Sequence, residues 1–88
     1  MYINIGGGVI LEKKKITGIF DLDITSQSYI TRAFLNNAEK NGRVINTAED
    51  IPKSYVVCED KDNLTVYLCQ AAAATLYKRY ETGKIYTE

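Results

Sequence analysis

The chain has 88 residues, with 11 Lys or Arg balanced by 11 Asp or Glu and no histidine, so it reads as one small domain of zero formal charge. With 45% apolar residues, 25% charged residues and a single proline it has the material for a folded core, which excludes a disordered tail or linker. No apolar run approaches the roughly 20 residues of a membrane-spanning helix, and the N-terminus lacks a basic stretch followed by an apolar one, so a soluble, cytoplasmic protein is expected.

Tyr2–Ile5 is a β-favouring run closed by Gly6, Gly7 and Gly8, which predicts a strand entering a tight turn. Val9–Leu11 resumes the apolar pattern, Lys13–Lys15 interrupts it, and Ile16–Leu22 continues it. The N-terminal quarter is therefore expected to be a meander of short strands. Thr25, Ser26 and Ser28 offer N-cap hydroxyls ahead of Ile30, Phe34 and Ala38, spaced by four residues, and Asn41-Gly42 supplies a stop, which predicts a helix. Arg43–Thr47 has the character of a strand, and the polar loop after it holds the one proline, Pro52.

Ser54–Glu59 and Leu64–Cys69 predict a hairpin turning through Asp60-Lys61-Asp62-Asn63. That loop sets a register in which Glu59 faces Leu64, Cys58 faces Thr65, Val57 faces Val66, Tyr55 faces Leu68 and Ser54 faces Cys69. Cys58 and Cys69 then share a face four positions apart along the ladder, too far for a disulfide. Gln70–Thr82, with four consecutive alanines and Gly83 behind it, predicts a second helix, and Lys84–Glu88 a fraying end. The expected fold is α+β: a small, mainly antiparallel sheet with two helices in a single domain.

Most candidate motifs have bland readings that outweigh the chemical ones. Gly6-Gly7-Gly8 leads into a second strand rather than a helix and lacks the lysine and hydroxyl of a phosphate loop, so it reads as a turn. Asp60 and Asp62 have calcium-loop spacing, but Leu64 falls at the next ligand position, so they read as a hairpin tip. Asp21 and Asp23 could form an acid and base pair but lack a third partner. Without histidine, triad hydrolysis, most zinc chemistry and phosphoryl transfer through histidine lose their usual residue, and no enzyme, metal or cofactor is expected. Cys58 and Cys69 read as small sheet residues rather than redox sensors. Seven tyrosines are many for this length; Tyr67, Tyr77 and Tyr80 are candidates for contact with another subunit, as much as for ordinary packing.

Charge is the more informative feature. Residues 1–20 are net positive and residues 44–62 net negative, and Lys13-Lys14-Lys15 forms a compact basic knob that Lys53 and the pair Lys78-Arg79 could reinforce in space. A neutral monomer binds DNA weakly, whereas an oligomer repeating the knob multiplies counterion release.

Tyr2-Ile3-Asn4-Ile5-Gly6 with Gly8, Ile10 and Lys15-Ile16 resembles the opening of the extracellular matrix regulatory protein family, RemA and RemB. Gly18-Ile19-Phe20-Asp21, the helix beginning near Ser26, and Pro52-Lys53-Ser54 followed by Val56-Val57 resemble RemB more closely, and the resemblance runs to about Cys69. It implies a bacterial, cytoplasmic DNA-binding regulator of biofilm matrix genes, from a family whose better-known branch forms ring-shaped homo-oligomers that contact double-stranded DNA through basic loops. In that branch an arginine before the third strand and an arginine pair in the loop leading to the hairpin touch DNA. Lys15 occupies the first position and keeps the charge without the bidentate fork, while Ile51-Pro52 falls at the pair, with Lys53 beside it. The expected DNA-contacting residues are Lys13, Lys14, Lys15 and Lys53, with sequence preference arising from DNA shape. The alternative is an oligomeric protein-interaction module that acts through a partner regulator.

Overall fold

Tyr2–Gly6 (β1), in which Ile3 and Ile5 are fully buried and Asn4 between them is also buried, pairs with Val9–Glu12 (β2) in an antiparallel hairpin. The computed structural model describes residues 1–22 and 29–82. Gly6, Gly7 and Gly8 all take positive φ, at 94°, 62° and 76°, so the expected glycine turn closes this hairpin. Gly7 also permits a close approach: a Cβ there would lie 2.5 Å from the Thr47 carbonyl oxygen, so the turn tip rests on the backbone at Thr47.

A meander does not follow. Lys13–Lys15 forms one 3-10 turn, and Ile16–Asp21 (β3) leaves the first hairpin to pair antiparallel with Ser54–Asp60 (β5) in a second sheet. That sheet has the order β3-β5-β6-β4, with β6 spanning Asn63–Cys69 and β4 spanning Val44–Asn46. Among the described residues β4 and β6 are its only parallel pair. The β5–β6 register is the expected one at every pair, from Glu59 opposite Leu64 to Ser54 opposite Cys69. The loop is shorter than four residues, because Asp60 and Asn63 also pair and Lys61 and Asp62 alone turn the chain, at φ of 50° and 70°.

Helix Tyr29–Lys40 (α1) ends on Gly42 at φ 68°, where the Gly42 and Arg43 amides donate to the Glu39 and Ala38 carbonyls at 3.0 and 2.9 Å. This reciprocal pair satisfies carbonyls that the helix end would otherwise leave open. Helix Ala73–Thr82 (α2) starts three residues later than alanine content predicts. Gln70 instead spans the preceding loop, its Oε1 accepting from the Asp50 amide at 2.9 Å and its Nε2 donating to the Ile51 carbonyl at 3.2 Å. The Ala71 carbonyl accepts from the buried Ser54 hydroxyl at 2.7 Å. The proposed caps Thr25, Ser26 and Ser28, together with Asp23, Gly83 and residues 84–88, lie outside the described residues, as does the Ile30 side chain.

The four-stranded sheet is covered on both faces. On one, Ile19, Val56, Cys58 and Cys69 pack against Ile3, Ile5 and Leu11 of the first hairpin and against Ala73 and Leu76 of α2. On the other, Tyr55, Val57 and Val66 pack against Ala38, with Phe34 and Leu35 of α1 half-buried beside them. Among the described residues the result is one α+β unit of two helices and mainly antiparallel strands, as expected, with the strands divided between two sheets.

Candidate nucleic-acid interface

The three lysines of the knob are presented by the 3-10 turn that carries the chain from one sheet to the other. The turn is anchored by the Lys13 amide donating to the Met1 carbonyl at 2.8 Å and by the flanking strands β2 and β3. Each lysine finds a partner. The Lys13 ammonium sits 4.5 Å above the Tyr80 ring, a cation–π contact that ties the turn to α2. Lys14, about four-fifths exposed, reaches Glu12 Oε2 at 3.1 Å. Lys15 donates to Asp60 Oδ2 at 3.3 Å and lies 3.9 Å from Glu12 Oε1. The hydrogen bond to Asp60, then its charge and that of Glu12, raise the Lys15 pKa above its ordinary value, so this ammonium is fully charged at neutral pH.

Lys53 does not join this group within one subunit. It precedes Ser54, which pairs with Asp21, whereas Lys15 precedes Ile16, which pairs with Cys58. The two therefore flank opposite ends of the β3–β5 ladder, about six residues or roughly 20 Å apart at ~3.3 Å per residue. Lys53 is exposed, and its backbone is pinned by its amide bonded to the Cys69 carbonyl at 2.9 Å and its carbonyl accepting from Leu22 at 3.0 Å. Ile51, which stands where the resemblance places the arginine pair, is 79% exposed. Of Lys78-Arg79, Lys78 is exposed, while Arg79 turns toward β1 and donates from Nη1 to the Asn4 carbonyl at 2.8 Å. Arg79 thereby lines a cleft of about 530 Å³, shared with Gly6, Gly7, Thr47, Glu49 and Asp50, whose charges oppose one another.

The remaining candidates take structural places. Tyr77 donates to the Ile19 carbonyl at 2.8 Å, capping the outer edge of β3. Tyr67 and Tyr80 are half-buried and pack against the core, so all three tyrosines have partners in their own chain. Cys58 and Cys69 are free and buried. Burial pushes both thiols up to about 11, with the neighbouring Cys69 adding to the effect at Cys58, and a thiol so far from ionising is a poor nucleophile at neutral pH. Asp60 is a partner of Lys15 at the base of the hairpin turn. Sequence reasoning missed Glu12 and read Asp60 as a hairpin tip rather than as a partner of the lysines. The Glu12–Lys15 spacing of three was visible, but the approach of Asp60 depends on the β3–β5 register, across 45 residues.

No helix among the described residues is long and apolar enough to cross a membrane. Comparison with curated proteins finds no match. Residues 2–80 match the family model described as RemA-like, extracellular matrix regulatory protein A-like. The match takes in both sheets, the lysine turn and most of α2, and by it the chain belongs to the RemA-like family of extracellular matrix regulatory proteins.

Proposed function

We propose that this chain is a non-enzymatic, cytoplasmic DNA-binding regulator of the RemB type, which acts as a homo-oligomer and meets the phosphate backbone of double-stranded DNA through Lys13, Lys14, Lys15 and Lys53. The observation that carries this reading is a surface turn presenting three successive lysines between two fixed strands, in a chain of the matrix-regulator family. One neutral subunit offers few phosphate contacts, so useful affinity requires several knobs engaged together on one duplex. Phosphate contacts carry no base identity, so preference among sequences comes from DNA shape and bending.

Fluorescence anisotropy of a labelled duplex across a salt series tests the reading, beside the triple substitution Lys13→Ala, Lys14→Ala, Lys15→Ala. Affinity should fall with a log–log slope of about −0.9 per phosphate contacted, and the triple variant should lose binding. Absence of binding at low salt, with an intact fold by circular dichroism, rejects it.

A second reading, an oligomeric module that captures a partner regulator without gripping DNA, is favoured by the zero formal charge of the chain and by Ile51 and Pro52, which stand where the resemblance places arginines of the DNA-binding branch. Association of that kind, through tyrosine and aliphatic surface, would change little with salt.

A further inference from the structure

The knob is less basic than its sequence suggests, because two carboxylates from different strands close on it. Glu12 ends β2 and Asp60 ends β5, so both acids stand on paired backbone, whereas Lys14 and Lys15 reach them on flexible stems. We propose that Glu12 and Asp60 form an acidic clasp that competes with nucleic-acid phosphate for Lys14 and Lys15 and so sets the affinity and salt dependence of the knob.

The inference rests on the DNA-binding reading and specifies how that site is regulated. A lysine that turns to a phosphate must leave its carboxylate, and the vacated carboxylate then faces the incoming anion. Exposed ion pairs of this kind are weak, equivalent to about 1.4- to fivefold in an equilibrium constant, so the clasp tunes binding without abolishing it. In an oligomer the effect is compounded at every engaged knob. A duplex that meets several knobs at once must open a clasp at each, so its affinity is lowered by the product of the single-knob factors, whereas an isolated phosphate meets one knob and incurs one factor.

The test uses the full chain with Asp60→Asn, Glu12→Gln and their combination. Asp62→Asn is the control, because it removes the same charge from the same hairpin turn, where Asp62 forms no ion pair with the knob. Two probes are read: anisotropy of a labelled duplex across a salt series, and the salt concentration that elutes each protein from immobilised heparin.

The combined variant should bind duplex at least about threefold more tightly at low salt and steepen the slope by ~0.9 for each further phosphate engaged. It should also leave heparin at higher salt, with Asp62→Asn moving much less. If Asp62→Asn shifts both readouts as far as Asp60→Asn, general charge explains them and the clasp is refuted. If the native chain binds duplex and the combined variant binds it no better, the clasp is refuted and the DNA-binding reading stands. If only the combined variant binds duplex, the clasp stands and the native chain is not a DNA binder under those conditions. If no variant binds duplex or heparin, both fall.

Discussion

The glycine turn between β1 and β2 allows a backbone penalty and a packing penalty to be measured separately. Gly7 and Gly8 are neighbours in the left-handed region, at φ of 62° and 76°, so alanine at either position incurs a conformational cost of about 1–2 kcal/mol. Their surroundings differ. A Cβ on Gly8 meets nothing within 4 Å, whereas one on Gly7 would lie 2.5 Å from the Thr47 carbonyl oxygen and 3.0 Å from Thr47 Cβ. Thr47 cannot easily withdraw, because its amide and hydroxyl both donate to the Leu68 carbonyl, at 2.9 and 2.7 Å. Moving it strains the contact between the loop after β4 and strand β6, and overpacking of this kind costs roughly 1–3 kcal/mol more. Gly8→Ala should therefore destabilise by about 1–2 kcal/mol and Gly7→Ala by about 2–5 kcal/mol. In a domain of this size each kcal/mol lowers the melting temperature by about 4–8 °C. Urea unfolding followed by circular dichroism at one fixed protein concentration reads the difference directly, and the fixed concentration removes any contribution from association. If Gly7→Ala costs no more than Gly8→Ala, the turn does not bear on Thr47 and the packing of the two sheets has been misread.

Two further predictions concern groups without a part in the proposed DNA contact. Cys58 and Cys69 are raised from 9.0 to about 11 by burial, so between those values the unfolded chain loses thiol protons that the folded chain keeps, and stability must fall as pH rises through that window. The urea midpoint should decline between about pH 9 and 11, and the Cys58→Ala, Cys69→Ala double variant should decline less steeply; Tyr67, also raised by burial, leaves a residual slope of the same sign. Tyr77→Phe removes the hydroxyl bonded to the Ile19 carbonyl and should cost about 0.5–1.5 kcal/mol in the same assay. No loss would mean that water replaces the hydroxyl at the β3 edge at no cost.

Local rules sufficed where the interactions that decide the structure are local. The β5–β6 register followed from alternation and from turn residues at 60–63, and the α1 stop followed from Gly42. The two-residue turn was hidden because Lys61 and Asp62 occupy left-handed conformations that glycine or asparagine normally signals. The late start of α2 was hidden because Gln70 and Ala71 have partners in the loop before β5 and in Ser54, tertiary bonds that outweigh helix propensity. The departure of β3 into a second sheet was equally out of reach, since a meander and a crossover present the same run of apolar strands until β5 competes for the pairing.

The same limit governed the candidate interface. Three adjacent lysines are visible in any reading of the chain, but the charge they present depends on Glu12 and Asp60, and the second arrives only through the β3–β5 ladder. That ladder also separates Lys53 from the knob by roughly 20 Å, about the rise of six base pairs at 3.4 Å each. The lysines proposed to touch DNA therefore cannot act as one patch. A duplex contacting both must run along the strand direction of one subunit or bridge the knob of one subunit and the Lys53 loop of another. Under the proposed function either arrangement would fix the duplex relative to the sheet and would give a neutral chain a way to prefer one DNA shape over another: phosphates would be met at two separated places, one behind carboxylates and one near the exposed Ile51, rather than at a single field of positive charge.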